Sequence, residues 1–232
     1  MLTLEDVESA YGRSLVLRGV SLSVEAGEVV CLLGRNGAGK TTTLRSIVGL
    51  VRPRSGHITF DGTELVGRSP HRIARLGLSY VPDDRRIFAE LTVEENLRLA
   101  RRTVNRPGDW DLERVYHLFP VLEQYRRRGG AELSGGEQKM LATGRALIQN
   151  PRLLLLDEAS EGLAPKIVQQ FVQAVREISA TGIAVLLADQ NLKFARRVAG
   201  RGYVMGKGTI EHADDMYAIW ANEEVVRRYL SV

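Results

Sequence analysis

The sequence of 232 residues predicts an α/β fold on a mainly parallel sheet. Three apolar runs carry this prediction, since runs without polar alternation are typical of strands buried on both faces: 29–33, 153–156 and 183–188. Helical patterns separate the runs, and strands joined by crossover helices pair in parallel. Between 83 and 150 we find no convincing strand, which predicts a helical insertion.

The first 82 residues alternate between strands, turns and short helices. Alternating apolar and polar residues predict half-exposed strands before the first buried one. Ser69 and Pro70 suit the cap and the first position of a helix. The predicted order is strands at 2–7, 20–24 and 29–33, a helix from Lys40 to about Leu50, a strand at 57–60, a helix from Pro70 and a strand at 78–81.

The predicted insertion opens with Thr92 and Glu95, which have the spacing of a capping box for a helix to about Arg102. A Pro/Gly break at 106–108 separates this helix from further helices. The strand and helix alternation then resumes. Its predicted elements are a strand at 153–156, a helix from about Lys166 to Ala180, a strand at 183–188, a helix after Asn191 and a closing hairpin at 203–210.

Composition excludes several classes of protein. The single cysteine, Cys31, rules out an internal disulfide and lies in an apolar run, as a small buried residue would. The net charge of +4 comes from interspersed charges, with one arginine triplet at 126–128, and this pattern does not predict a nucleic-acid groove. No secretory signal or apolar run of membrane-spanning length is visible, so we expect membrane work only through partners.

A phosphate-binding loop is predicted between the buried strand and the following helix. Glycines let backbone N–H groups curl around a phosphate at a helix N-terminus. Lys40 should bridge the β- and γ-phosphates, Thr41 should bind Mg²⁺ and Thr42 should contact the α-phosphate. The predicted residues are Gly34, Arg35, Asn36, Gly37, Ala38, Gly39, Lys40, Thr41 and Thr42.

Two acidic residues follow the buried run "LLLL". Asp157 would hold Mg²⁺ through water, and Glu158 would polarise an attacking water, at the strand edge where α/β sheets bind ligands. The alternative is an acidic helix cap after a strand. Beside a phosphate-binding loop, the pair predicts a nucleotide hydrolase.

A second glycine pair opens the helix after Ser134. Ser134 and Glu137 also fit an ordinary capping box, which is the simpler interpretation. Capping alone does not need Gly135 and Gly136, whereas N–H groups that face an anion would explain them. We expect that one chain does not bring both phosphate sites to one nucleotide, and that two chains arranged head to tail can do so.

"LSGGEQ" between the phosphate loop and "LLLLDE" resembles the signature of the ATP-binding cassette (ABC) ATPases, over the whole chain. The resemblance implies a P-loop NTPase core at 1–82 and 151–232, with an N-terminal antiparallel β subdomain and a helical subdomain at about 83–150. It also implies an ATP-sandwich dimer, in which a signature motif binds the ATP of the partner subunit. The signature residues are Ser134, Gly135, Gly136 and Glu137.

The resemblance also implies roles for Tyr11, Val16, Asp83 and Gln190. It implies that Tyr11, otherwise an ordinary edge-strand aromatic, stacks on adenine with Val16 beneath it. Asp83 stands where most relatives have a glutamine that contacts Mg²⁺ and the membrane subunit. Gln190 stands where most have a histidine that senses the γ-phosphate, and the alternative is that it only caps the helix beginning near Asn191.

Four segments resemble the shorter ATPase subunit of bacterial branched-chain amino acid importers: "DEASEGLAP", "ADQN", "VPDDRRIF" and "ANEEVVRRYL". Urea and short-chain amide importers use similar ATPases, and lipopolysaccharide exporters are further off. This resemblance implies ATP and Mg²⁺ as cofactors and a location on the cytoplasmic face of the bacterial plasma membrane. The implied partners are a second ATPase subunit, two permease subunits and, indirectly, a periplasmic binding protein, with no nucleic acid.

Two other functions stay open at this point. A soluble ABC protein acting on ribosomes or DNA typically has two cassettes or long coiled-coil insertions, which this sequence lacks. A regulatory nucleotide-binding module without turnover is disfavoured by Glu158.

Overall fold

A computed structural model describes residues 1–103 and 106–230; residues 104–105 of the predicted insertion and the last two residues of the predicted core lie outside it. The strands of the described part are β1 (Leu2–Tyr11), β2 (Ser14–Val24), β3 (Val29–Leu33), β4 (Ser55–Phe60), β5 (Thr63–Glu64), β6 (Leu78–Val81), β7 (Leu153–Asp157), β8 (Ala184–Asp189), β9 (Arg201–Gly206) and β10 (Thr209–Asp215). The helices are α1 (Lys40–Ile47), α2 (Pro70–Leu76), α3 (Val93–Thr103), α4 (Leu112–Leu118), α5 (Pro120–Gln124), α6 (Gly135–Leu147), α7 (Pro165–Ala180), α8 (Leu192–Val198), α9 (Met216–Ala221) and α10 (Glu223–Tyr229).

The first sheet is antiparallel, with strand order β2-β1-β4-β5. Its first two strands are longer than predicted, because they form a hairpin whose last pair is Tyr11 with Ser14. The turn contains Gly12 in the left-handed region, at φ 56°. Cross-strand pairing therefore continues past the stretch in which apolar and polar residues alternate.

The second sheet has six strands in the order β10-β9-β3-β8-β7-β6. All neighbours pair in parallel except β9 and β10, which form the predicted hairpin. The carboxyl ends of β3, β7 and β8 lie side by side, so the residues after these strands meet at one edge. These two sheets and their helices confirm the predicted α/β fold.

Hydrophobic residues pack on both faces of the second sheet. In β3, Cys31 and Leu33 belong to the cluster under the helices, whereas Val30 and Leu32 belong to the cluster shared with the first sheet and α1. Because successive side chains of β3 are buried on opposite faces of the sheet, its sequence is a continuous apolar run. Cys31 is fully buried, and burial raises the pKa of its thiol, as expected for an inert core residue.

Helices α3 to α6 connect β6 to β7. Within the described part of this stretch, strand-like pairing is limited to an isolated bridge between Thr92 and Gly129. The predicted capping box is present, since Thr92 N donates to Glu95 Oε2 at 2.8 Å and Glu95 N donates to Thr92 Oγ1 at 3.2 Å. Helix α6 packs closely here, because a Cβ at Gly144 would lie 2.7 Å from Val115 Cγ1.

Among the described residues, no helix combines the length and the apolar character that crossing a membrane requires.

Candidate nucleotide site

The loop between β3 and α1 has the geometry of an anion cradle. A Cβ at Gly34 would lie 2.6 Å from Met205 O, so the backbone approaches β9 more closely than any side chain allows. Gly39 adopts φ 115° at the N-terminus of α1, where no side chain of the described structure caps the helix. Uncapped N–H groups at a helix start favour a phosphate.

Lys40 points back into this loop. Its side chain is 3% exposed, and Nζ lies 3.0 Å from Glu158 Oε1. Nζ also donates to Gly34 O at 2.8 Å and to Arg35 O at 3.3 Å. A phosphate in the loop would therefore compete with a carboxylate and two carbonyl groups for one ammonium.

Asp157 ends β7 and is fully buried. Its Oδ1 accepts a hydrogen bond from Thr41 Oγ1 at 3.1 Å, and its Oδ2 accepts one from Tyr80 OH at 3.0 Å. Burial raises the pKa of the Asp157 carboxyl, and the two hydroxyl donors oppose that change. The structure thus brings together the predicted Thr41 and Asp157 from separate elements.

Glu158 follows in a constrained backbone conformation. Its φ is 47°, in the left-handed region, and its N–H donates to Ala188 O at 2.8 Å. Oε2 is buried and has no hydrogen-bond partner among the described residues. Burial raises the pKa of this carboxyl, although Lys40 acts in the opposite direction. An unpaired buried carboxylate oxygen can accept a proton from water.

A cavity of about 310 Å³ lies over the loop and brings together the predicted residues Asn36, Gly37, Gly39, Lys40, Thr41, Thr42, Val16, Asp83 and Glu158, together with Glu161. Tyr11 does not line it; its side chain is 46% exposed at the end of β1, beside Arg45. Gln190 does not line it either and is half-buried in the turn after β8. Arg35 points outward, where Nη2 donates to Arg227 O at 3.3 Å.

The signature residues lie outside this cavity. Ser134 and Glu137 form a true capping box, with Ser134 N donating to Glu137 Oε2 at 2.7 Å and Glu137 N donating to Ser134 Oγ at 3.4 Å. The space beside both glycines is also tight. A Cβ at Gly135 would lie 3.0 Å from Arg85 Nη1, and one at Gly136 would lie 3.1 Å from Ile167 Cγ2.

The structure adds three residues that the sequence analysis missed. Tyr80 donates to Asp157, and Lys139, 2% exposed on α6, donates from Nζ to Asp157 O at 2.5 Å. Asp189 is fully buried at the end of β8. The edge rule for parallel sheets could have indicated Tyr80, near the end of β6, and Asp189, at the end of β8, because these two strands flank β7. Lys139 could have been noticed as a charge among apolar α6 residues.

The donor set at this edge suits magnesium. The described residues contain no cluster of three or more His, Cys, Asp or Glu side chains that could hold a metal by themselves. Mg²⁺ commonly needs only one or two protein oxygens in addition to substrate phosphates and water. Thr41 Oγ1 and Asp157 Oδ1, 3.1 Å apart, fit this requirement, and Asp83 lines the same cavity.

Comparisons with known proteins agree with this geometry. The sequence model of the family described as ABC transporter matches residues 17–161. The chain is 42% identical to the high-affinity branched-chain amino acid transport ATP-binding protein BraG of Pseudomonas aeruginosa, over 99% of each chain. It is 35% identical to the lipopolysaccharide export system ATP-binding protein LptB of Acidithiobacillus ferridurans, over 99% of this chain and 96% of the relative.

Solved structures give the same result. The fold matches an ATP-binding subunit of an ABC transporter with a TM-score of 0.84 and 29% identity, over 97% of this chain and 94% of the other. It also matches the ADP conformation of MJ1267, an ATP-binding cassette of an ABC transporter, with a TM-score of 0.83 and 26% identity, over 98% and 97% of the two chains.

Proposed function

The chain belongs to the ABC transporter family and is an ATP-hydrolysing subunit, and on that premise we propose that it powers the uptake of branched-chain amino acids. The observation that carries this substrate class is the 42% identity to BraG over nearly the whole of both chains. The LivF protein of Archaeoglobus fulgidus, described as a probable branched-chain amino acid transport ATP-binding protein, supports it at 32% identity over 90% of each chain.

We propose the following roles for the site residues, of which Lys40, Glu158 and Val16 line the cavity and Tyr11 and Gln190 do not. Lys40 and the N–H groups at the start of α1 bind the phosphates, which accept charge-assisted hydrogen bonds. Glu158 orients the attacking water and accepts its proton at the unpaired Oε2. Gln190 positions the γ-phosphate with its amide, which can donate a hydrogen bond but cannot carry a proton. Tyr11 and Val16 hold the adenine.

Magnesium is the proposed cofactor. Thr41 and Asp157 would hold it with the phosphates, Asp157 in part through water, and Asp83 would approach it from the loop after β6. The bound ion would neutralise phosphate charge during transfer.

We infer a head-to-tail dimer with a second ABC ATPase subunit. All four signature residues lie outside the cavity that Lys40 lines. The N–H groups of Ser134 and Glu137 donate within the capping box, whereas those of Gly135 and Gly136 at the start of α6 would meet the nucleotide of a partner. In this assembly, residues 83–150 act as a helical subdomain that carries the signature motif towards the partner. The remaining core binds the nucleotide.

The permease docking surface is a groove between β6 and α6, with a cavity of about 200 Å³ whose lining includes Leu50, Pro82, Arg85, Ala142 and Arg145. Beside it Phe88 is 44% exposed, and the Arg145 guanidinium carbon lies 4.4 Å from its ring centre. Asn96 fixes this segment by accepting from Phe88 N at 2.9 Å. We expect a short cytoplasmic helix of the permease to bind here, which would place the chain at the inner face of the plasma membrane.

The docking proposal is tested by cross-linking. A single cysteine in place of Phe88 should cross-link to a permease subunit, because the natural Cys31 is buried and does not compete. A cysteine in place of Tyr217, which is 77% exposed on α9, is the matched control and should not. Cross-links from position 88 only to the second ATPase would contradict the proposed surface.

The substrate is tested with the assembled transporter, purified through a tag on this chain and reconstituted with its binding protein in proteoliposomes. We expect ATP-dependent uptake of leucine, isoleucine or valine, and none with Lys40→Ala. Uptake of urea or acetamide would favour the alternative importer class. Co-purification with lipopolysaccharide-exporting permeases would refute import, a comparison that the 35% identity to LptB makes necessary.

A further inference from the structure

Asp189 is a fully buried carboxylate with no part in the proposed chemistry. It accepts three hydrogen bonds. Oδ2 accepts from Ser160 N at 2.9 Å, and Oδ1 accepts from Ser160 Oγ at 3.0 Å and from Asn191 N at 2.8 Å. One side chain therefore joins two chain segments that are distant in sequence.

Each of these segments carries a proposed catalytic residue. Ser160 lies two positions after Glu158, and Asn191 directly follows Gln190. The segments are also joined by the hydrogen bond from Glu158 N to Ala188 O at 2.8 Å. Glu158 has a left-handed backbone at φ 47°, and such a conformation persists where the surroundings hold it in place.

We propose that Asp189 is a positioning residue, which fixes the loop carrying Glu158 relative to the turn carrying Gln190. The inference rests on the proposed function, because it gives Asp189 a role only if those two residues act on one γ-phosphate. Asp189 touches neither nucleotide nor water in this role. It holds the Glu158 carboxylate, which accepts the proton, at a fixed distance from the Gln190 amide, which positions the phosphate.

The arrangement requires a carboxylate rather than its amide. In Asp189→Asn, the amide NH₂ group would face Ser160 N–H in one orientation and Asn191 N–H in the other. Either orientation places donor against donor and releases one of the two segments. Displacement of a reacting group by about 1 Å can reduce a rate about 100-fold without removing any chemical group.

The test compares four variants of the assembled transporter in steady-state Mg-ATP hydrolysis, with ATP binding and thermal unfolding measured on the same samples. Ser160→Ala removes one buried hydroxyl, and Ser160→Thr keeps it. Ser9→Ala is the matched control, since it removes a buried hydroxyl that pairs with Ser46 Oγ at 2.8 Å, outside the catalytic segments. Asp189→Asn completes the set.

We expect Asp189→Asn to reduce kcat about 100-fold and Ser160→Ala about tenfold, with KM for ATP unchanged within about twofold. Ser160→Thr should recover at least half of the wild-type kcat. Ser9→Ala should lower the melting temperature about as much as Ser160→Ala and retain wild-type kcat. This split between kcat and stability would not arise from a merely structural role.

Several results would overturn the inference. One is an equal kcat in Ser160→Ala and Ser9→Ala. This comparison tests the role of Asp189 even if the Asp189→Asn variant does not fold. Another is a parallel loss of ATP affinity and kcat. A wild-type transporter without turnover would refute the proposed function, and the role of Asp189 with it. An active wild type with an equally active Asp189→Asn would refute only the role of Asp189.

Discussion

Glu158→Gln separates chemistry from binding at the candidate site. The substitution keeps the shape of the side chain and replaces the carboxylate by a neutral amide. The amide oxygen can still accept from Lys40, whose ammonium now lies 3.0 Å from Oε1. What the variant loses is the proton acceptor at the buried, unpaired Oε2.

The size of each effect can be estimated. Loss of a general base typically costs about 10²- to 10⁴-fold in rate, or about 2.7–5.5 kcal/mol of transition-state stabilisation. Lys40 loses its counter-charge but keeps the carbonyl groups of Gly34 and Arg35. We therefore expect a stability loss of about 1–3 kcal/mol, at the level of a charge-assisted hydrogen bond. Affinity for ATP should be equal or higher, because the carboxylate no longer competes with phosphate for Lys40.

The assay measures hydrolysis by the assembled transporter, ATP binding by calorimetry and the oligomeric state by gel filtration with Mg-ATP, where a dimer should accumulate. Glu28→Gln is the matched control. It removes a carboxylate whose Oε1 lies 2.6 Å from Arg201 Nε, away from the nucleotide cavity, and should cost stability without changing kcat. Undiminished turnover in Glu158→Gln, or a loss of ATP affinity equal to the loss of rate, would refute the reasoning.

Four further predictions follow from the same geometry. Lys40→Ala should remove most ATP affinity in a calorimetric titration, because the glycine-rich backbone alone does not neutralise the phosphates. Burial raises the pKa of Glu158 above its ordinary value of 4.5, and only the carboxylate form accepts a proton. We therefore expect kcat to fall as the pH decreases through this raised pKa. Glu158→Gln should lack this decrease in kcat at low pH. Gln190→Ala should bind ATP but lose about tenfold in kcat, or about 1.4 kcal/mol of transition-state stabilisation. Gln190→His should be active and should show an additional pH dependence near the ordinary histidine pKa of about 6.5. A wild-type rate for Gln190→Ala would contradict the positioning role of Gln190. Gly208→Ala should lower the melting temperature by at least about 4 °C, because Gly208 has φ 89° and its Cβ would overlap a backbone carbonyl of β2, whereas Gly200→Ala, with no neighbour within 4 Å of its Cβ, should melt like wild type.

Much of the fold followed from local patterns. Continuous apolar runs gave β3 and β7 nearly at their observed bounds, because both faces of these strands are buried. The outer hairpin was underestimated, since its residues near Tyr11 and Ser14 face solvent and have no periodic signal. Their strand conformation comes from pairing across the turn.

The site was predictable only in part. The phosphate loop has a fixed residue spacing, so the residues around Lys40 could be assigned from sequence alone. The hydrogen bonds of Tyr80, Lys139 and Asp189 depend on which strands become neighbours, and no local pattern specifies that. For the same reason, no local pattern indicated that Gly135 and Gly136 lie close to Arg85 and Ile167.

The contact between Lys139 and Asp157 O has a consequence for cooperativity. Lys139 is 2% exposed, and burial lowers the pKa of its amine, so this group is shielded from water while α6 lies on the sheet. The carbonyl that accepts from it is in place only while β7 is paired within its sheet. Partial separation of the helices from the sheet would leave a buried charge or carbonyl unpaired, which is costly. Hydrogen exchange should therefore report one shared opening for α6 and β7, so that the signature helix and the strand bearing Asp157 behave as a single cooperative unit.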